Sequence, residues 1–232
     1  MSSEIPKSAG SQAEPSEPGH PVHTERGNLI VVSAPSGAGK SSLAERLLKR
    51  VENLRFSISY TTREPRGAER HAVDYYFVSQ DDFDSMRERR EFLECAEVHG
   101  HFYGSHERSV EEMLAGGSDV MLDIDVQGAE QVRRRVPGSI SIFILPPSRE
   151  ILEARLRARN MNDPADIERR LRNAGIEVQL YERFDYVVVN DDLDRALAQL
   201  EAIIVAERSR PERQRNRIES IITTFGGVSF HA

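Results

Sequence analysis

Apolar positions along this chain alternate between two kinds of pattern. Short runs beginning after Asn28, and at residues 54–59, 119–125, 139–145 and 186–190, are rich in Val, Ile and Leu and stop abruptly at small or polar residues. Such runs are expected of strands buried on both faces. Between most of them the apolar residues recur at helical spacing, over residues 43–51, 126–136, 149–159 and 164–181. Strand and helix in alternation predict an α/β fold, a parallel five-stranded core sheet between two helical layers. The stretch at 60–116 breaks this rhythm, being too long and too polar for a crossover. Its aromatic runs YYFV and HFYG and a helical pattern near 81–89 predict a small α+β insertion. Residues 1–26 hold four of the eleven prolines and no aromatic residue, which reads as a disordered leader with too little apolar surface to offset ordering. The predicted division is a leader at 1–26, a domain at 27–210 and an extension at 211–232.

The first apolar run opens NLIVVSAPSGAGKSS, residues 28–42. A strand, a glycine-rich loop and a helix in that order cradle phosphates on consecutive backbone N–H groups, while a lysine reaches the β and γ oxygens. Ala34, Pro35, Ser36, Gly37, Ala38, Gly39, Lys40, Ser41 and Ser42 form this loop. Lys40 is its lysine and Ser41 the hydroxyl expected on Mg2+. Ala34 stands where G-x-x-x-x-G-K-[ST] begins with glycine; a methyl there costs little if φ stays negative. Asp123 closes the run VMLD and so sits at the C-terminal edge of a strand beside the loop. There it can hold Mg2+ directly or through water. The fold expected is therefore the three-layer P-loop NTPase fold, binding a nucleoside triphosphate with magnesium.

Composition narrows the partners. A net charge of −7 and a pI near 5.6 argue against general binding of nucleic acid or membrane surfaces, so an anionic ligand must be met by local arginines. The one cysteine, Cys95, excludes an internal disulfide and a cysteine-based zinc site, and points to the cytoplasm. The histidines at 99, 101 and 106 have no metal-ligand spacing. Apolar stretches stay well short of a membrane span, and the N-terminus lacks the apolar centre of a signal peptide.

The segment TTREPRGAERHAVDYYFV, residues 61–78, carries more information. Two guanidinium forks, Arg63 and Arg66, and the phenol of Tyr75 suit a terminal phosphate dianion. The pattern T-T-R-x-x-R-x-x-E-x-x-A-x-x-Y-x-F-V resembles the substrate loop of the guanylate kinase family, and the resemblance runs from about Gly27 to Arg208. It implies transfer of the γ-phosphoryl of ATP to GMP, with dGMP as an alternative acceptor, and Mg2+ as cofactor. It also implies that Arg63, Arg66, Tyr75 and Tyr103 hold the GMP phosphate, while Ser59, Glu94, Ser105 and Asp125 read guanine. Glu94 fits on chemical grounds too, because one carboxylate can accept guanine's adjacent N1–H and N2–H2 donors together.

Arg155, Arg159 and Arg170 resemble the lid arginines that close over the ATP phosphates, in a short helical lid at about 152–170. RNMNDP replaces the family's more usual turn there. Asn190 resembles its adenine-side residue. Tyr60 stands where the family carries a small polar residue. Two other readings compete: a kinase-like interaction scaffold, disfavoured by the intact Lys40, Ser41 and Asp123, and a kinase for another monophosphate, disfavoured by Glu94. In the extension, Ile218, Ile221, Ile222 and Phe225 lie at helical spacing. They predict a helix docked on its own domain, with a contact between copies in a homo-oligomer as the alternative.

Overall fold

The computed structural model describes residues 26–98, 100–158 and 163–226. Strands β1 (Leu29–Ser33), β2 (Leu54–Phe56), β7 (Asp119–Asp123), β8 (Ile140–Leu145) and β9 (Tyr186–Val189) form one parallel sheet in the order β2-β7-β1-β8-β9. Side chains alternate across β1: Ile30 and Val32 join one core layer, Leu29 and Val31 the other. The first layer is completed by α1 (Lys40–Arg50) and α7 (Leu193–Arg208), through Leu43, Leu47, Leu197 and Leu200. The second is completed by α3 (Glu107–Ala115) and α4 (Val126–Arg135), through Val110, Leu114, Ala129 and Val132. Each such side chain contributes roughly 1.5–3 kcal/mol by leaving water, so the sheet is the rigid platform on which everything else is mounted.

The second sheet is smaller and mixed: β4 (Tyr76–Phe77), β3 (Tyr60–Thr61), β6 (His101–His106) and β5 (Phe92–Val98), in that order. Its outer side packs on α2 (Gln80–Glu88), with Phe83 stacked on Phe92. Leu93, by contrast, turns into the core layer that holds Val31 and Leu122. The strand expected over 54–59 is divided here. Only Leu54–Phe56 pairs with β7, and the chain then crosses to the second sheet at Tyr60. The Ser57 N–H still bonds the Met121 carbonyl, marking where the crossing begins.

Helices α5 (Arg149–Ala158) and α6 (Pro164–Glu177) pack on each other through Leu152, Leu156, Ile167 and Leu171. Asp163 caps α6 by accepting the Ala165 N–H, with Pro164 in the first turn, and the Val178–Arg183 3-10 turn ends the region. The chain finishes in α8 (Arg215–Thr224). That helix forms as its spacing predicts but does not dock on its own domain: Ile218, Ile221 and Ile222 are more than 40% exposed, and Phe225 is 86% exposed.

Candidate active site

The glycine-rich loop lies at the C-terminal end of β1, which is hydrogen-bonded to β7 on one side and β8 on the other. Here the strand order reverses and a crevice opens. Gly37 and Gly39 have φ of 94° and 98°, a backbone that only glycine adopts without strain. Each is also crowded. A Cβ on Gly37 would meet Leu152 and Leu156 at 2.9 Å, and one on Gly39 would overlap the Asn190 amide. Ala34 is not among the residues with positive φ, so its methyl is accommodated as expected. Helix α1 starts at Gly39 with no side-chain cap and no acidic residue in its first turn, whereas α2, α4, α6 and α7 are capped by Ser79, Asp125, Asp163 and Asp192. Its N-terminal dipole is therefore left to an external anion.

Lys40 reaches back across the strand ends. Its ammonium forms an ion pair with Asp123 and donates to the Ile124 carbonyl at 3.0 Å. The two charges expected at the triphosphate and the metal thus neutralise each other in this structure. Ser41 and Ser42 are exposed in the first turn of α1.

Three side chains buttress the loop. Asn190 is buried at the end of β9 and donates to the Ala38 carbonyl at 2.7 Å. Arg155 of α5 bridges the Ala38 and Asn190 carbonyls, at 3.2 and 2.9 Å. Arg170 of α6 donates to Ser36 Oγ at 3.0 Å while held by Asp166. Arg159 lies outside the described residues.

Across the crevice, Arg63 is buried and heavily engaged. Its fork meets Glu69 at 2.9 and 3.0 Å, its Nε donates to the Tyr103 hydroxyl at 3.2 Å, and its guanidinium lies 5.3 Å from the Tyr75 ring. Tyr75 and Tyr103 meet edge to face. Arg66 is exposed, with its backbone N–H bonded to Glu69. Its guanidinium is the one member of the expected phosphate set not drawn into this cluster. Hydrogen bonding to Arg63 holds the Glu69 carboxyl below its usual range, and burial pushes the Tyr75 phenol up.

Glu94, on β5, is only 3% exposed and accepts from Ser105 Oγ of β6 at 2.7 Å. Burial pushes its carboxyl up to about 7, with the nearby Asp125 charge adding to the shift. Asp125 caps α4, accepting the Gln127 and Gly128 N–H groups at 3.1 and 2.9 Å. Ser59 is buried at the crossing between the sheets, its carbonyl bonded to the Tyr76 N–H. Tyr60, one residue on, alternates to the other side. It stacks on Tyr76 with centroids 4.6 Å apart and packs among Phe83, Met86 and Phe92. A large ring at this position therefore fills the interior of the small sheet.

Two carboxylates escaped the sequence reading. Glu69 is the Glu of the T-T-R-x-x-R-x-x-E pattern, and its grip on Arg63 has no signal in the sequence. Glu177 of α6 is half-buried; burial raises its carboxyl, which feels the charges of Asp125 and Lys40. Its one signal is that residues 170, 174 and 177 share a helix face.

Comparison with known proteins gives matches over most of the chain. The family model described as guanylate kinase matches residues 26–207. The chain is 52% identical to the guanylate kinase of Koribacter versatilis (strain Ellin345) over 187 residues, covering 79% of this chain and 80% of that one. It is 48% identical to the guanylate kinase of Escherichia coli (strain K12) over 200 residues, covering 85% and 97%. The crystal structure of guanylate kinase from Anaplasma phagocytophilum superposes with a TM-score of 0.73 at 32% identity, over 89% of this chain and 99% of that one.

Proposed function

The chain belongs to the guanylate kinase family and transfers the γ-phosphoryl of ATP to GMP, giving ADP and GDP, and we propose how its residues divide that work. Backbone N–H groups within residues 36–42 hold the ATP phosphates with Lys40, and Arg155 and Arg170 bring further positive charge to the transferring group. Supporting this, both arginines already touch the loop, through Ala38 and Ser36. Arg159 belongs with them by its place in the sequence. Asn190 lines the adenine side.

Mg2+ suits the donors at the loop mouth, the Ser41 hydroxyl and the Asp123 carboxylate, which are hard oxygens. Among the described residues no group of three or more His, Cys, Asp or Glu is placed to hold a metal. That fits a cation carried largely by nucleotide phosphates and water. When bound, the ion neutralises charge on the β and γ oxygens.

The GMP phosphate goes to Arg63, Arg66, Tyr75 and Tyr103. Glu69 occupies the Arg63 fork as a stand-in, since a phosphate presents the same pair of acceptor oxygens. The Lys40–Asp123 pair is a stand-in of the same kind. Guanine is read by Glu94 with Ser105, and by Ser59 and Asp125 beside them. A phosphate monoester has a second pKa of about 6, so the acceptor oxygen needs no strong general base. It attacks the γ-phosphorus, the bond to the β–γ bridging oxygen breaks, and ADP leaves; catalysis is positioning and charge stabilisation.

The observation that carries this reading is the buried Glu94 carboxylate facing a hydroxyl rather than a cation. Its test is ADP release with ATP and Mg2+ and GMP, AMP, CMP or UMP as acceptor, for the chain and for Glu94→Gln. GMP turnover should fall on the order of 10²-fold in the variant, because an amide sets donor against donor. A variant that keeps its GMP preference removes Glu94 from the pocket.

A further inference from the structure

Helix α4 does more than cover the core sheet. It lies along β5, the edge strand of the second sheet. An edge strand presents backbone groups with no strand to meet them, and here α4 meets them with side chains on both sides of Glu94. Arg135 donates from Nη1 to the Phe92 and Leu93 carbonyls, each at 2.6 Å, and from Nη2 to Glu107 at 2.7 Å. Gln131 pairs with both backbone groups of Cys95, accepting its N–H at 3.2 Å and donating to its carbonyl at 2.8 Å. Between these two clamps, a Cβ on Gly128 would come within 2.5 Å of Glu94 Oε2. Residues 128, 131 and 135 recur at helical spacing on one face.

Two more features remove freedom from Glu94. The pairing of β5 with β6 shifts register between Phe92 and Glu94, an irregularity that re-aims the side chains next to it. Leu93 is anchored in the core layer beside Ala129 and Val132 of α4. The strand is therefore held by its backbone at 92, 93 and 95, and the space left for the carboxylate is set by the missing side chain at 128.

We propose that Gly128, Gln131 and Arg135 are positioning residues for the base-reading carboxylate, so that specificity for guanine is set from the core helix as well as from the pocket itself. This rests on Glu94 being the guanine reader. Bidentate acceptance of two adjacent N–H donors tolerates a displacement of only about 0.5 Å; Gln131 and Arg135 hold the strand backbone on either side of Glu94, and Gly128 leaves the space its carboxylate occupies. Asp125 caps the same helix, so a shift of α4 would move both carboxylates together.

The experiment compares GMP with IMP, whose base lacks the 2-amino donor, in the wild-type chain and in Gly128→Ala, Gln131→Leu and Glu94→Gln, with melting followed in each. Gly128→Ala forces the far end of Glu94 aside yet improves helix propensity. It should raise the GMP KM about tenfold or more and compress the GMP-to-IMP ratio of kcat/KM, with kcat and melting little changed. Gln131→Leu keeps volume and propensity but removes the partner of the Cys95 N–H and carbonyl; it should move the KM and the ratio the same way more weakly and lower the melting temperature. If Glu94→Gln collapses the ratio while Gln131→Leu and Gly128→Ala leave it and the KM untouched, the positioning role is overturned. If Glu94→Gln itself leaves the ratio unchanged, the guanine reading falls and this inference with it.

Discussion

The two ends of the crevice are built by opposite means. At the end proposed for the phosphates, the loop backbone is shaped by Gly37 and Gly39 and propped from below by Asn190 and Arg155. At the end proposed for the base, the polar groups are side chains from β5, β6 and the start of α4, brought together by packing. A backbone cradle recognises phosphate whatever base is attached. Side chains in a buried pocket discriminate, because a wrong base leaves a desolvated group unpaired. Damage at one end should therefore cost rate with every nucleotide, and damage at the other should cost preference.

Removing Lys40 tests this most severely. Lys40→Ala should lower kcat on the order of 10²–10³-fold, by analogy with the loss of one charge-stabilising donor, while GMP affinity by calorimetry survives. Loss of GMP binding in that variant would mean that the two ends are not separable. Gly39→Ala comes next. Its φ of 98° and the overlap with Asn190 should cost roughly 1–3 kcal/mol of stability and raise the ATP KM. The choice among acceptors should not move; a changed GMP-to-IMP ratio would contradict the division.

The pH dependence sharpens the other side. Burial pushes the free Glu94 carboxyl up to about 7, and the proposed bidentate grip on guanine needs it ionised. GMP affinity should thus be full above that value and fall as pH drops through it, by up to about tenfold per pH unit. The GMP phosphate contributes a separate dependence near 6, which is all that Glu94→Gln should retain. Titration curves that coincide for the two proteins would remove the ionised Glu94 from binding. The smallest effect is expected at the tail. A chain ending after Gln214 should melt within about 0.5 kcal/mol of the full one, since the stripe on α8 is already exposed. A drop in light-scattering mass on truncation would assign that stripe to a contact between copies.

Legibility followed the same divide. The phosphate loop could be read from residues 28–42 because its function lies in local backbone geometry. Glycines at 37 and 39 and the uncapped start of α1 are written into contiguous sequence. The proposed base pocket has a sequence signal only through resemblance; Glu94 in EFLECAE looks like any charged strand residue until the fold sets Ser105, Asp125 and Gly128 around it. Some local readings also gave way. The run at 54–59 forms a strand only over Leu54–Phe56, and the chain leaves β7 before pairing in the second sheet at Tyr60. The apolar stripe of the extension found no surface to cover.

Hydrophobic periodicity determined the strands and the helices between them, and the glycine pattern determined the loop at the end of β1, since each of these is a property of neighbours along the chain. Tertiary structure alone decided that Asn190 would support Ala38 and that Glu69 would occupy the fork of Arg63. It also set Gln131 and Arg135 across from Glu94. Those contacts join residues far apart in sequence, or loop residues whose conformation no period encodes. Their strength comes from desolvation, and desolvation exists only once the core has closed around them.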